Sequence, residues 1–295
     1  MNRRLLIFST LIGFSLMSCG KYDITGMVAG SSPTANSRFA VSKSWNEAGG
    51  FKTFYMPGNE YRFYAATDSH LSETNEGLSC FVDTYLSDRE AAPFALFLGD
   101  ALDGKGDFDL FSRTVDPITA AGRSLLCTPG NRDINFSLWN DYFKLHGTAS
   151  YLFEVVTISE GKDLFICLDT ASGTLGTDQR AWLGDVLSSS RGKYRHIIIF
   201  THTNFFKRDS MQLFSANFNL EELYDLEKLF YESQVDMVLS GHDHCFTDVL
   251  FKGVRYLALA PVGDREGQNF YALVVKSGEI GLESFGVSEL EPVLK

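Results

Sequence analysis

Seven side chains able to bind a metal ion stand just beyond apolar runs in this chain. YRFYAAT leads into Asp68-Ser69-His70, FALFLG into Asp100, SLLCTPG into Asn131, IIIFT into His202, and MVLSG into His242-Asp243-His244. The apolar runs suit buried strands, and open α/β sheets gather their ligand sites at the C-terminal edges of such strands. Four of the six histidines occupy these ends. Asp, Asn and His offer hard and borderline oxygen and nitrogen donors. Seven exceed the needs of one ion and suit two ions sharing a bridging carboxylate. In the DSH and HDH segments alternate side chains of an extended backbone point the same way, although a turn there could aim them at different ions. Singly, each residue has an ordinary explanation, such as a turn aspartate or an asparagine in a left-handed position after glycine. Their recurrence at five successive strand ends is what argues for chemistry.

The elements that must position these residues alternate along the chain. VRYLALA reads as a strand, as do DLFICLD and the five runs above. Helical periodicity covers Leu78 to Arg89, Asp178 to Ser188 and Asn219 to Ser233, the last with Leu220, Leu223, Leu226, Leu229 and Phe230 on one face. This alternation predicts an α/β fold. With 295 residues and 44% hydrophobic content, the chain can bury one large core, and no Pro/Gly-rich linker divides it after residue 60. A net charge of -11 argues against nucleic acid or anionic lipid as the main partner, and no nucleic-acid surface is predicted.

The first residues read as a targeting segment. Arg3 and Arg4 precede the apolar run Leu5 to Met17, which is too short to span a membrane but suits a signal peptide. Leu16-Met17-Ser18-Cys19 resembles the bacterial lipobox, so residues 1–18 are expected to be removed and Cys19 lipidated. The protein would then be extracytoplasmic, anchored to a membrane at the periplasm or cell surface. Residues 19–60, rich in Gly, Ser, Thr and Asn, read as a tether and N-terminal segment, with one domain over 61–295. Cys127 and Cys167 sit in apolar runs and read as buried free thiols beside Cys80 and Cys245, and no CxxC spacing suggests structural zinc.

In order, DSH, GD, GNRD, TH and GHDH resemble the signature of the calcineurin-like metallophosphoesterases, over roughly Tyr61 to Phe285. The segment FICLDT before Gln179-Arg180-Ala181-Trp182-Leu183 matches as well. The resemblance implies a sandwich of two mixed β-sheets flanked by helices. It also implies two divalent ions, Mn, Zn, Fe or Mg, with Asp68, His70 and His244 on one, Asn131, His202 and His242 on the other, and Asp100 bridging. The implied reaction is in-line attack on phosphorus by a hydroxide shared between the ions.

Two departures from the family pattern bear on substrate. Where the family commonly has a histidine after GN, this chain has Arg132, followed by Asp133. Arginine does not release its proton at working pH, but it can hold phosphate oxygens with two parallel donors, and Asp133 is expected to steady it. Without a general acid at this place, phosphodiesters and phosphoanhydrides are favoured over simple alkyl monophosphates. His146 is a candidate proton donor or a structural residue, and Phe205 and Phe206 either stack on substrate or fill the core. Purple acid phosphatases carry a ligand tyrosine three residues after the GD aspartate; here that residue is Asp103, so a tyrosinate-iron site is not expected. The alternatives are a phosphomonoesterase of the same family and a ligand-binding lipoprotein without turnover.

Overall fold

The structure is a computed structural model that describes residues 32–49, 52–71, 76–103, 108–135, 138–207, 214–263, 269–286 and 289–294. The expected signal peptide and Cys19 lie outside the described residues. Strands in the core are apolar on both faces, and this dictates a layered arrangement. In β2 (Tyr61–Ala66), Tyr61, Phe63 and Ala65 face one apolar layer while Tyr64 and Ala66 face another. The same split holds in β3 (Ala91–Phe97), β7 (Ile197–Phe200) and β8 (Met237–Ser240). Each of these strands must therefore be covered twice, by a second sheet and by helices.

Two mixed sheets meet this requirement. With β1 (Lys52–Tyr55), β5 (Tyr151–Val156), β6 (Lys162–Cys167), β9 (Thr247–Phe251) and β10 (Val254–Ala258), one sheet runs in the order β1-β5-β6-β7-β8-β10-β9. The other includes β4 (Ser124–Cys127), β11 (Asn269–Val275), β12 (Ile280–Gly286) and β13 (Glu289–Leu294), in the order β13-β12-β11-β2-β3-β4. Parallel pairing of β3 with β2 and β4, and of β7 with β6 and β8, brings the functional ends of both sheets to one edge. Between the sheets lies an aromatic layer in which Phe63, Phe94, Phe153, Phe165 and Phe200 are all fully buried. The outer face of the six-stranded sheet carries α2 (Glu76–Ser87) and α3 (Phe108–Ala120). The outer face of the seven-stranded sheet carries α6 (Gly176–Ser190) and α7 (Leu220–Glu232). This is the expected sandwich. Cys80, Cys127, Cys167 and Cys245 are free thiols.

Of the expected tether and N-terminal segment, 19–60, the structure describes 32–49 and 52–60, and these carry regular elements. Ala35–Gly49 forms helix α1, packed against α6, and β1 extends the seven-stranded sheet, so the packed unit includes residues well before 61. The buried face of α1 is Ala35, Arg38, Phe39 and Ser42. Its spacing is helical, but two of the four side chains are polar, so hydrophobic periodicity cannot reveal it.

At the edge opposite the strand-end residues, His196 joins the two sheets. Its Nε2 donates to the Lys276 carbonyl at 2.7 Å, and Nδ1 lies 3.5 Å from Asp236 Oδ1. Burial acts to lower its pKa, but Asp236 and the Lys276 carbonyl outweigh burial and raise it. A raised pKa means that the folded state holds the proton more tightly, so this stabilisation is complete below about pH 6.5 and fades as pH rises through the folded value. The melting temperature should therefore fall more steeply between about pH 6 and 8 in the wild type than in His196→Gln. Parallel calorimetric profiles for the two proteins would refute the assignment.

Candidate metal centre

The site begins with backbone that is bent against its own preference. Among the described residues, seven non-glycine residues have positive φ, and five of them are Asp68, His70, Asp100, His242 and His244. Each such residue costs of order 1–3 kcal/mol, and such strain clusters where function demands a particular side-chain direction. The bent loops are stitched to one another across the strand ends. Asp68 N–H donates to Gly99 O, His70 N–H to Asp100 O, Gly241 N–H to His202 O, and His242 N–H to Asp68 Oδ2. The approach is close enough to exclude side chains at two glycines. A Cβ on Gly130 would collide with Asp100 Oδ1, and one on Gly241 would collide with the Thr67 hydroxyl.

All seven predicted residues are brought together, as two adjoining clusters. In the first, His70 Nε2 and His244 Nε2 are 2.9 Å apart and lie 3.4 and 3.3 Å from Asp68 Oδ1. In the second, His202 Nε2 is the hub, at 3.1 Å from His242 Nδ1, 3.3 Å from Asn131 Oδ1 and 3.6 Å from Asp100 Oδ1. Asp100 lies between the clusters, its Oδ2 being 3.9 Å from His70 Nε2.

Protonation follows from the partners. His202 Nδ1 is 2.7 Å from the Leu98 carbonyl, which can only accept, so Nδ1 carries a hydrogen. Burial acts to lower the pKa of this ring, but the charges of Asp100 and Asp68 outweigh it and raise it, and once deprotonated the ring turns the lone pair of Nε2 into the second cluster. Burial, with the charge of His202 second, lowers the His242 pKa to about 3, leaving that ring neutral. Burial and the charge of Asp68 raise the pKa of Asp100. For Asp68 burial acts upward too, but His244 and His70 hold its carboxyl well below the usual range. Asp68 Oδ2 accepts from the Thr67 hydroxyl and His242 N–H, whereas buried Oδ1 accepts no hydrogen bond. A buried carboxylate oxygen left unsatisfied and facing two imidazole nitrogens fits a divalent cation, which would take the lone pairs of all three.

Arg132 and Asp133 diverge from the pairing expected of them. They sit in the single-turn helix α4 (Asn131–Ile134), where consecutive side chains point about 100° apart. Arg132 turns outward: Nη1 donates to Asp103 O at 3.1 Å, Nε lies 3.6 Å from Asp100 Oδ2, and 40% of the side chain is exposed. Asp133 turns inward and is buried. Its Oδ1 accepts from Ala101 N–H at 2.9 Å and Leu102 N–H at 3.4 Å, and Oδ2 accepts from Gly130 N–H at 2.9 Å. Its partners are the backbones of the loops carrying Asp100 and Asn131, not the Arg132 guanidinium. Burial and the charge of Asp100 push its pKa up to about 7.

The other candidates resolve as packing. His146, at the end of α5 (Trp139–His146), contacts the rings of Phe108, Phe111 and Tyr142, and burial pushes its pKa down to about 4. It is neutral at neutral pH and has no proton ready for a leaving group. Phe205 and Phe206 are buried against Phe218, Phe230 and Tyr256. Sequence reasoning missed Arg38, Asp169 and Gln179, which form a buried polar group beneath the His202 loop. FICLDT and QRAWL flagged the last two as matching segments without assigning them a role.

A two-sheet sandwich with paired donor clusters at its strand ends is the architecture of a metallophosphoesterase. The family model described as calcineurin-like phosphoesterase matches residues 61–246, more than half of the 295-residue chain, and the chain belongs to that family. No curated protein sequence matches. Solved structures of similar fold include GAP50, the anchor in the inner membrane complex of Plasmodium, with TM-score 0.61 and 13% identity over 79% of this chain and 87% of that one. A dimetal phosphatase from Danio rerio has TM-score 0.56 and 15% identity over 79% of this chain and 98% of that one. A purple acid phosphatase from yellow lupin seeds has TM-score 0.61 and 14% identity over 80% of this chain and 53% of that one. At such identities the likeness is one of fold.

The inward carboxylate of Asp133 yields a stability test. Asp133→Ala leaves three amide groups without their acceptor, at about 1–3 kcal/mol for each that stays buried. Asp133→Asn keeps one acceptor oxygen and loses the other. Thermal unfolding should rank wild type above Asn above Ala, and equal melting temperatures would refute the tethering role.

Proposed function

We propose that the chain is a metal-dependent phosphohydrolase acting on a phosphodiester or phosphoanhydride. On this reading Asp68, His70 and His244 hold one divalent ion, Asn131, His202 and His242 hold a second, and Asp100 spans both. The observation that carries the reading is the pair of adjoining clusters, in which lone pairs converge around an unsatisfied Asp68 oxygen and a hub at His202 Nε2. Two bound ions would stabilise phosphoryl oxygens and lower the pKa of water.

The protein's own groups then define the substrate. Arg132 faces the mouth of the site, tied on one side to Asp103 O and Asp100, and its planar fork suits two phosphoryl oxygens. It cannot act as a general acid, His146 is unprotonated near pH 7, and Asp133 spends both oxygens on backbone amides, so a leaving group that departs as a stable anion is favoured. That favours phosphoanhydrides and activated diesters over alkyl monophosphates. The donor set is compatible with Mn, Zn, Fe or Mg.

The test is hydrolysis of an aryl phosphodiester, an aryl phosphomonoester and a nucleotide pyrophosphate by protein loaded with Mn²⁺ or Zn²⁺. Diester or pyrophosphate turnover should fall at least a hundredfold in His202→Ala, and Arg132→Ala should lose at least tenfold in kcat/KM on the same substrate. Monoester turnover alone would overturn the substrate class. A folded protein that binds metal and turns over none of the three would instead favour ligand binding, and one fold relative is described as an anchor.

We propose also that the protein is exported and held by lipid on Cys19, supported by Arg3, Arg4, the apolar run Leu5–Met17 and the small residue before Cys19. Expressed in a bacterium, the wild type should take up labelled palmitate and fractionate with membranes, and Cys19→Ala should do neither. Membrane release without loss of label, or no label in the wild type, would refute it.

A further inference from the structure

Helix α1 lies outside the residues that the family model matches, yet it is fastened beneath the second donor cluster. Arg38 is fully buried. Its Nε donates to Asp169 Oδ2 at 2.7 Å, and Nη2 donates to Asp169 Oδ1 and Ser172 Oγ, each at 3.0 Å. Nη1 donates to the Pro33 carbonyl at 2.6 Å, and the guanidinium lies 5.7 Å from the centre of the Trp139 ring.

Asp169 is held from the other side as well. Gln179 accepts from its N–H at 2.9 Å and donates to its carbonyl at 2.9 Å. The next residue, Thr170, brackets His202: its hydroxyl is 2.7 Å from the Thr201 hydroxyl and accepts from Thr203 N–H, and its carbonyl accepts from the Thr203 hydroxyl. The N-terminal segment reaches the other arm of the cluster too, because Ser32 Oγ donates to the carbonyl of Ile134 at the end of the helix that begins with Asn131.

We propose that α1, through Arg38, is a positioning element that sets the geometry of the Asn131–His202–His242 cluster. A buried guanidinium that donates four hydrogen bonds, two of them to the Asp169 carboxylate, cannot shift without breaking a charged pair, so it fixes the Asp169–Ser172 turn. That turn fixes Thr201 and Thr203, and His202 lies between them. The Asp68–His70–His244 cluster has no such link to α1 among the described residues. Arg38 is therefore tied directly to one cluster and reaches the other only through it. This inference rests on the reading of His202 as a metal ligand.

The test uses the full chain in detergent, stripped of metal and titrated with Mn²⁺ by calorimetry at a temperature where circular dichroism shows each variant folded. Wild type should show two binding events, one removed by His202→Ala and the other by His70→Ala. Arg38→Ala should weaken the His202-dependent event at least tenfold and leave the other within twofold. The kcat should drop in parallel, KM should change little, and added methylguanidinium should restore part of both the binding and the rate. If Arg38→Ala does not fold, Arg38→Lys keeps the charge without the fork and should give a smaller loss confined to the same event. A lowered melting temperature with both binding events and kcat unchanged would make Arg38 merely structural and overturn the inference. Wild-type binding in His202→Ala would overturn the ligand reading, and this inference with it.

Discussion

Negative charge buried at the common edge of two sheets is the constraint on which the rest of the structure depends. Asp68, Asp100 and Asp133 are all withdrawn from solvent within a few residues of the strand ends. Burying one carboxylate is unfavourable without compensation, and burying three beside one another is more so. The protein compensates in part with backbone amides, which take both oxygens of Asp133 and one oxygen each of Asp68 and Asp100. One oxygen of Asp68 receives no hydrogen bond and faces two imidazole nitrogens, an arrangement that suits a cation.

The same constraint accounts for the strain and the stitching. Left-handed backbone at Asp68, His70, Asp100, His242 and His244 turns side chains that would otherwise alternate outward into a shared volume. Holding them there takes support from both sheets. Gly241 packs against Thr67, Gly130 against Asp100, and the Leu98 carbonyl fixes the tautomer of His202. Aromatic packing between the sheets gives these contacts a rigid base, since the interior transmits small displacements rather than absorbing them.

The fold and the donor set were legible in the sequence for a common reason. Strands covered on both faces read as unbroken apolar runs, and a polar residue that ends such a run stands out. Elements with one wet face were harder to see. β5 and β9 have half-exposed patterns, and α3 contains Pro117, which obscures its period. Helix α1 was illegible because it buries Arg38 and Ser42, a polar face that has meaning only once Asp169 and the Ala149 N–H are opposite it. Asp133 was misread because adjacency in sequence suggests pairing, whereas one turn of helix sends Arg132 to the mouth and Asp133 to the interior.

That divergence bears on the chemistry at the mouth. A guanidinium beside Asp100 offsets some of the acidic field that would repel an anionic substrate from a chain of net charge -11. Its remaining N–H groups are directional, so they favour a tetrahedral anion offering two oxygens over a lone carboxylate or halide. A histidine at this position could stabilise charge and also protonate a leaving group; arginine can do only the first. On the proposed reading, the substitution would transfer the burden of departure to the substrate, and the range of leaving groups turned over would become a property of the phosphate ester or anhydride supplied.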